Sequence, residues 1–296
     1  MYISNPAIDN DLTRAGVYST RYLFACTKQS QNLKLTLQGT NTYIVGTGQR
    51  RLLIDTGEGR PSWIKTIQEV LLKENATIDS ALISHWHHDH VGGIDQLLEA
   101  YPAVKVHKNQ PEDGQLNISD GDIFSVDGAT LRAVYSPGHT QDHMSLVLEE
   151  EDAMFTGDNV LGHGTAVFED LPSYINSLRK METLFTGRAY PGHGAVIDNG
   201  KAKILEYIRH RQQREEQVLQ VLRSSHPSAN KKDAGRKPGD WTSMEIVKVI
   251  YKDIPENLHL PAHGGVLQVL LKLQEEDKVS KDRTTGNWII RGKAAL

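Results

Sequence analysis

Ala81-Leu-Ile-Ser-His85-Trp86-His87-His88-Asp89-His90 is the stretch from which the rest of the chain can be read. A short apolar run ends in a dense group of metal-ligand candidates, His85, His87, Asp89 and His90, and a helix-like segment, Val91-Gly-Gly-Ile-Asp-Gln-Leu-Leu-Glu-Ala, follows. Residues two apart in extended backbone point to the same side, so His85 and His87 can grip one ion. The chain must then turn, which sends Asp89 and His90 toward a second. Histidine and carboxylate at this spacing suit zinc-like divalent metals. His88 is expected to point away from both ions, and Trp86 reads as a packing residue.

Working outward, the same arrangement of a strand running into a turn with a ligand candidate recurs three times. Thr130-Leu-Arg-Ala-Val-Tyr leads to Ser136-Pro-Gly-His139, Ala153-Met-Phe-Thr to Gly157-Asp158, and Arg188-Ala-Tyr to Pro191-Gly-His193. Functional groups concentrate on such loops because a rigid sheet holds them. Seven candidates serve two ions if one carboxylate is shared: His85, His87 and His139 on the first, Asp89, His90 and His193 on the second, and Asp158 between them. Two ions about 3.5–4 Å apart can hold a hydroxide nucleophile and polarise a substrate oxygen. His163, in a Gly-His-Gly loop five residues past Asp158, is a candidate to meet the substrate or protonate a leaving group. The catalytic candidates are therefore Asp89, Asp158 and His163. His143 reads as structural or as a support behind the ligands, the structural role favoured.

The remaining pattern is that of an α/β chain. Asn41-Thr-Tyr-Ile-Val and Arg51-Leu-Leu-Ile flank a Gly-Thr-Gly turn and read as a hairpin. Helical spacing covers residues 62–74, 174–183 and 201–223. Strands are expected at residues 77–84, 104–107, 123–126 and 144–148, a loop at 114–122, and an opening strand at 17–25. Residues 224–240 are polar and basic, with Lys231, Lys232, Arg236 and Lys237, and read as a linker. Beyond it, Thr242 and Glu245 form a capping-box pattern. Helices around Ile246, around Asn257 and over 265–275, then a hairpin turning at Thr284-Thr-Gly-Asn287, make a small winged-helix-like module. The expected division is a catalytic domain over 1–223, the linker, and the module over 241–296.

With 296 residues, 24% charged and 38% hydrophobic, the chain is long enough for a substantial core and has a globular composition. A net charge of −4 does not point to nucleic acid. The single Cys26 excludes an intramolecular disulfide and fits a reducing compartment. No apolar run of about 18 residues is present, so no membrane span is expected. The N-terminus has no basic-then-apolar leader. The expected location is the cytoplasm.

The His85-x-His87-x-Asp89-His90 cluster, followed in order by His139, Asp158 and His193, resembles the metallo-β-lactamase superfamily over residues 37–223. The resemblance implies a four-layer αβ/βα sandwich, two sheets face to face with helices outside. It also implies that Asp55, in Asp55-Thr-Gly, orients a metal-bound histidine. Gly39-Thr-Asn-Thr-Tyr, Gly138-His-Thr-Gln-Asp-His, Phe155-Thr-Gly-Asp-Asn-Val-Leu-Gly-His-Gly and Tyr190-Pro-Gly-His-Gly match one branch closely. That branch holds fungal thioesterases, which release polyketides from the acyl-carrier domain of a synthase, and lactamase-beta-2-type endoribonucleases. Lys108-Asn-Gln-Pro and the His163 loop look more like the thioesterases. The implied activity is hydrolysis of an acyl thioester with two divalent ions, Zn2+ favoured and Mn2+ the substitute, and an acyl-carrier domain as partner. The alternative is cleavage of single-stranded RNA, and a lesser one is a non-catalytic binding protein. The chain departs from both relatives at Thr27-Lys-Gln-Ser-Gln-Asn-Leu-Lys, where they carry an Asn-Pro-Gly turn.

Overall fold

A computed structural model describes residues 39–226 and 240–291. The strand expected over 17–25, the departure at 27–34 and the basic cluster of Lys231, Lys232, Arg236 and Lys237 lie outside the described residues.

The first sheet contains β1 (Tyr43–Val45), β2 (Arg50–Ile54), β3 (Thr77–Ile83), β4 (Lys105–Lys108) and β5 (Leu116–Asn117), in that order. β1 and β2 form the expected antiparallel hairpin, with Ile44 opposite Leu53. β2 to β5 are parallel. The second sheet contains β6 (Ile123–Val126), β7 (Ala129–Tyr135), β8 (Met144–Leu148), β9 (Ala153–Gly157) and β10 (Ala189–Pro191), ordered β10-β9-β8-β7-β6. Only its β9–β10 pair is parallel.

Strand alternation explains why the sheets stack. Tyr43, Val45, Leu52, Ile54 and Leu82 of the first sheet share a core with Leu131, Ala133, Leu146 and Phe155 of the second. Their neighbours in sequence, Ile44, Leu53, Ala81 and Ile83, face outward onto Trp63, Ile67 and Leu71 of α1 (Pro61–Lys73). Those three residues recur every fourth position and make one helix face, and Pro61 sits in the first turn, where no amide is needed. On the other side, Val134, Val147 and Met154 pack under α4 (Leu171–Met181) and α5 (Gly200–Arg223). The result is the expected four-layer αβ/βα sandwich. Two short helices, α2 (His88–Val91) and α3 (Ile94–Ala100), follow β3.

Two local expectations differ from the fold. The stretch 114–122 is not all loop, because Leu116 and Asn117 extend the parallel sheet beside β4. The helices expected near Asn257 and over 265–275 are a 3-10 turn, Glu256–Leu258, running into one continuous α7 (His259–Glu275). Pro261 falls in the first turn of α7, where its missing N–H has no intrahelical acceptor to lose. Gly264 and Gly265 are then carried by the buried stripe Val266, Val269, Leu270 and Leu273. α6 (Ser243–Ile250) begins with a complete Thr242/Glu245 capping box, and β11 (Val279–Lys281) pairs with β12 (Trp288–Ile290).

Candidate metal centre

All four strand ends named from the sequence converge at one end of the sandwich. Ser84 and His85 follow β3, His139 lies in the β7–β8 loop, Asp158 follows β9 and His193 follows β10. The sheets are joined there by Met144 N–H donating to Ser84 O at 2.7 Å. Two groups result, in which every ligand atom lies within 4.8 Å of the others: His85, His87, His139 and Asp158, and Asp89, His90 and His193.

In the first group His87 Nδ1 is 3.0 Å from His85 Nε2 and 3.1 Å from His139 Nε2. Hydrogen bonds fix the tautomers. His139 Nδ1–H donates to Val167 O at 2.9 Å, and His85 Nδ1–H to Ser84 Oγ at 2.9 Å, whose own O–H goes to Asp55 Oδ2 at 2.8 Å. Both Nε2 atoms therefore present lone pairs, and a proton on His87 Nδ1 could satisfy one of them only. Burial, reinforced by neighbouring imidazoles, holds the His85 and His87 pKa values below the usual histidine range. Neutral rings pointing lone pairs at one place are what a cation needs.

The second group is built from the opposite charge logic. His90 Nε2 lies 3.6 Å from Asp89 Oδ2 and 3.5 Å from Asp158 Oδ1. His193 Nε2 lies 3.3 Å from Asp89 Oδ2 and 3.2 Å from Asp158 Oδ2. Burial opposes charge on His90 and His193, but the carboxylates of Asp158 and its neighbours prevail, holding His90 well above the usual range and His193 at about 9. Burial would likewise raise Asp89, yet the His193 hydrogen bond, the charge on His90 and the Thr40 hydroxyl (2.7 Å) keep it well below the usual carboxylate range. Asp158 Oδ2 is also 3.6 Å from His139 Nε2, so one carboxylate reaches both groups.

These residues fit a pair of divalent ions. Tetrahedral coordination with metal–nitrogen bonds of about 2.0–2.1 Å sets donor atoms roughly 3.3 Å apart, and the separations above bracket that value. His90 Nε2 and Asp158 Oδ1 are buried and lack a hydrogen-bond partner among the described residues, a costly arrangement without a ligand. Gly192 backs the cradle so closely that a Cβ there would lie 2.3 Å from Asp158 Oδ1.

A supporting layer holds the donors. Asp55 accepts from Ser84 N–H at 2.7 Å and from His90 Nδ1–H at 2.8 Å, so one buried carboxylate orients His90 directly and His85 through Ser84. Its φ of 57° is left-handed, a conformation that Asp tolerates better than most residues. His193 Nδ1–H donates to Gly39 O at 2.9 Å, while Asn41 and Tyr43 grip the same loop through Pro191 O and Gly194 O. Of the two roles expected for His143, the structure supports the one behind the ligands: its Nε2 accepts Asp158 N–H at 3.1 Å, and burial keeps the ring neutral. Gly157, at φ 50°, leaves room for that ring, since a Cβ would stand 2.5 Å from His143 Nε2.

His163 stands apart from both groups. It is exposed, with Nδ1 against the backbone of Gly194 beside His193. His88 is exposed, in keeping with its expected direction away from the centre. Trp86 is not a packing residue: it is 51% exposed, and its indole meets the His87 ring at 4.6 Å. The alternation that turns His85 and His87 inward leaves it at the rim. Lys108 is unavailable to a substrate, being buried with Nζ 2.8 Å from Asp142 Oδ2, which ties β4 to the His139 loop. Sequence reading missed Thr40, Ser84 and the carbonyls of Gly39 and Val167. A hydroxyl beside a ligand is a faint signal and a carbonyl gives none.

Comparisons with known proteins agree on the fold and the family. A model of the "Metallo-beta-lactamase superfamily" matches residues 35–112 and 108–193, and one of the "Beta-lactamase associated winged helix domain" matches 242–288. The lactamase-like protein aptB of Emericella nidulans is 45% identical over 87% of this chain and 84% of its own length. The atrochrysone carboxyl ACP thioesterase of Aspergillus chevalieri is 48% identical over 86% of this chain and 83% of its own. A beta-lactamase domain protein from Burkholderia ambifaria, at 17% identity, shares the fold with a TM-score of 0.72 over 92% of this chain and 91% of its own. With family models and near relatives agreeing across most of its length, the chain belongs to the metallo-beta-lactamase superfamily.

Proposed function

We propose that this chain is a metal-dependent thioesterase that hydrolyses an acyl thioester of polyketide type carried on an acyl-carrier protein domain. The observation that carries the reading is the convergence of His85, His87, His139, Asp89, His90, His193 and Asp158 on two adjoining donor sets. The 48% identity to a protein named as an ACP thioesterase supports the substrate class. His85, His87, His139 and Asp158 would hold one divalent ion and Asp89, His90, His193 and Asp158 the other, with Zn2+ favoured by the nitrogen-rich donors and Mn2+ the substitute. When bound, the ions supply an acidified water and Lewis-acid polarisation of the thioester carbonyl.

The chain's own residues do the rest. Asp55, Ser84, Gly39 and Val167 lock the imidazoles so that little reorganisation is needed during reaction. Asp89 and Asp158 stay ionised, which suits them to hold cations and to accept a hydrogen bond from the reacting water. The exposed His163 beside Gly194 is the side chain we assign to the departing sulfur, whose low basicity asks little acid assistance. Trp86 and the exposed Val167 supply apolar surface next to His87 and His139 for an acyl chain.

One assay tests substrate class. Metal-loaded protein is offered an acyl-carrier thioester, the same acyl group on a small thiol, and single-stranded RNA. Fastest turnover of the carrier-bound thioester is expected. Equal turnover of both thioesters would remove the carrier domain as a partner, and cleavage of RNA alone would overturn the thioesterase reading.

A further inference from the structure

Val167 lies between β9 and α4 in a loop without regular structure, yet its carbonyl accepts the His139 Nδ1 proton at 2.9 Å. The tautomer and ring plane of a proposed ligand thus depend on one peptide group that no helix or strand fixes. α5 holds it. Arg211 Nη2 donates to Ala166 O at 2.7 Å, and the same guanidinium lies over the Phe168 ring at 4.7 Å. One side chain grips the residues on both sides of Val167. Tyr207, one turn earlier on α5, donates to Gly164 O at 3.1 Å and accepts from Leu161 N–H at 3.2 Å. The far side of the loop is closed by Glu169 and Asp170 N–H groups donating to Gly138 O, and by Gln268 Nε2 of α7 donating to Glu169 O at 2.9 Å.

We infer that Arg211 is a positioning residue for His139: its grip on Ala166 and Phe168 aims the Val167 carbonyl and so determines how well the first donor group closes on an ion. This rests on the reading that the two groups hold ions. A planar fork that stacks and donates at once is particular to arginine. A lysine could reach Ala166 O or cover Phe168, and not both in the same geometry. The Val167 side chain meanwhile stays outside, 72% exposed, with Ala166 buried and Phe168 partly so. The loop therefore presents its apolar tip to solvent while its backbone serves the centre. Gln268 brings the C-terminal module into the same support, two peptide groups from the critical carbonyl.

The test is stepwise Zn2+ affinity, measured by chelator competition, with folding followed by circular dichroism. Wild type is expected to bind two ions. Arg211→Met is expected to lose affinity for one ion by up to the about 10–100-fold found when the direct partner of a ligating histidine is removed, and to keep the other. In the double variant with His139→Ala, the two losses should overlap rather than add, because both act through one ligand. Unchanged affinities, equal losses at both ions, or full additivity would overturn the inference. If Arg211→Met does not fold, Phe168→Leu decides. Weaker binding of the one ion sustains the inference, and wild-type affinities overturn it. A wild type that binds no ion refutes the proposed function itself, and this inference with it.

Discussion

Asp55 shows how much a single carboxylate can do when its surroundings are fixed. Its two oxygens accept from Ser84 N–H, Ser84 Oγ–H and His90 Nδ1–H, reaching one histidine in each donor group. Asp55→Asn should keep the left-handed backbone at φ 57°, which Asn also tolerates, while losing an acceptor. The expected result is unchanged circular dichroism with metal affinity down about 10–100-fold; wild-type affinity would contradict it. Protonation gives a second prediction. The His193 pKa is raised to about 9 without metal, against about 6.5 in an unfolded chain. Its ion-paired stabilisation is therefore fully present below pH 6.5 and lost as pH rises through about 9. A metal ion must displace this proton and that of His90, so Zn2+ binding near pH 7.5 should release protons and tighten with rising pH. Titration calorimetry in buffers of different ionisation enthalpy checks this, and a buffer-independent heat would contradict it. At this scale the donors were legible because histidine and carboxylate are scarce, distinctive side chains set beside turns. Their supports were not, since Gly39 and Val167 act through carbonyls that any residue provides.

Elements carry the donors to one place. β3, β9 and β10 each stop where a ligand follows, and the segment from Gly39 to Tyr43 clasps the end of β10 through Asn41 N–H to Gly192 O at 2.7 Å and Tyr43 Oη to Pro191 O at 2.7 Å. Period-two apolar alternation made these strands readable, since each faces one core on one side and another on the other. It could not reveal β5, whose Leu116 and Asn117 are both exposed and form a strand only by pairing with β4. Nor could it reveal that α7 is continuous, because Pro261 and the paired glycines read as breaks until tertiary packing of Val266, Val269 and Leu270 outweighs them. The β10 turn is one junction with no room to spare. Gly192→Ala would drive a Cβ to 2.3 Å from Asp158 Oδ1 and 2.9 Å from His90 Cε1. Since the site is local, the variant should stay folded while binding fewer than two ions, measured by elemental analysis after dialysis. Full metal content would show that the loop yields without cost to the centre.

At the scale of the whole molecule, the C-terminal module shares its core with the sandwich. Trp241, Ile246, Val266, Leu270 and Trp288 belong to the same buried cluster as Leu178, Tyr207 and Leu222 of α4 and α5. Each such large apolar side chain contributes about 1.5–3 kcal/mol on burial, so neither part should melt alone. Calorimetry is expected to show one cooperative transition, and two separated transitions would contradict a shared core. The module was visible in the sequence as helices and a hairpin, but its union with the sandwich depends on contacts between distant residues that no local pattern records. The centre has the same character, drawing His85, His87, Asp89 and His90 from the segment that follows β3 of one sheet and His139, Asp158 and His193 from the loops of the other. Asp158 joins the two groups, so the decisive measurement is metal content per chain by elemental analysis of zinc-loaded wild type and Asp158→Ala. Two ions in the wild type, with most metal and thioester turnover lost in Asp158→Ala, is the expected result. Two ions retained in Asp158→Ala would contradict it.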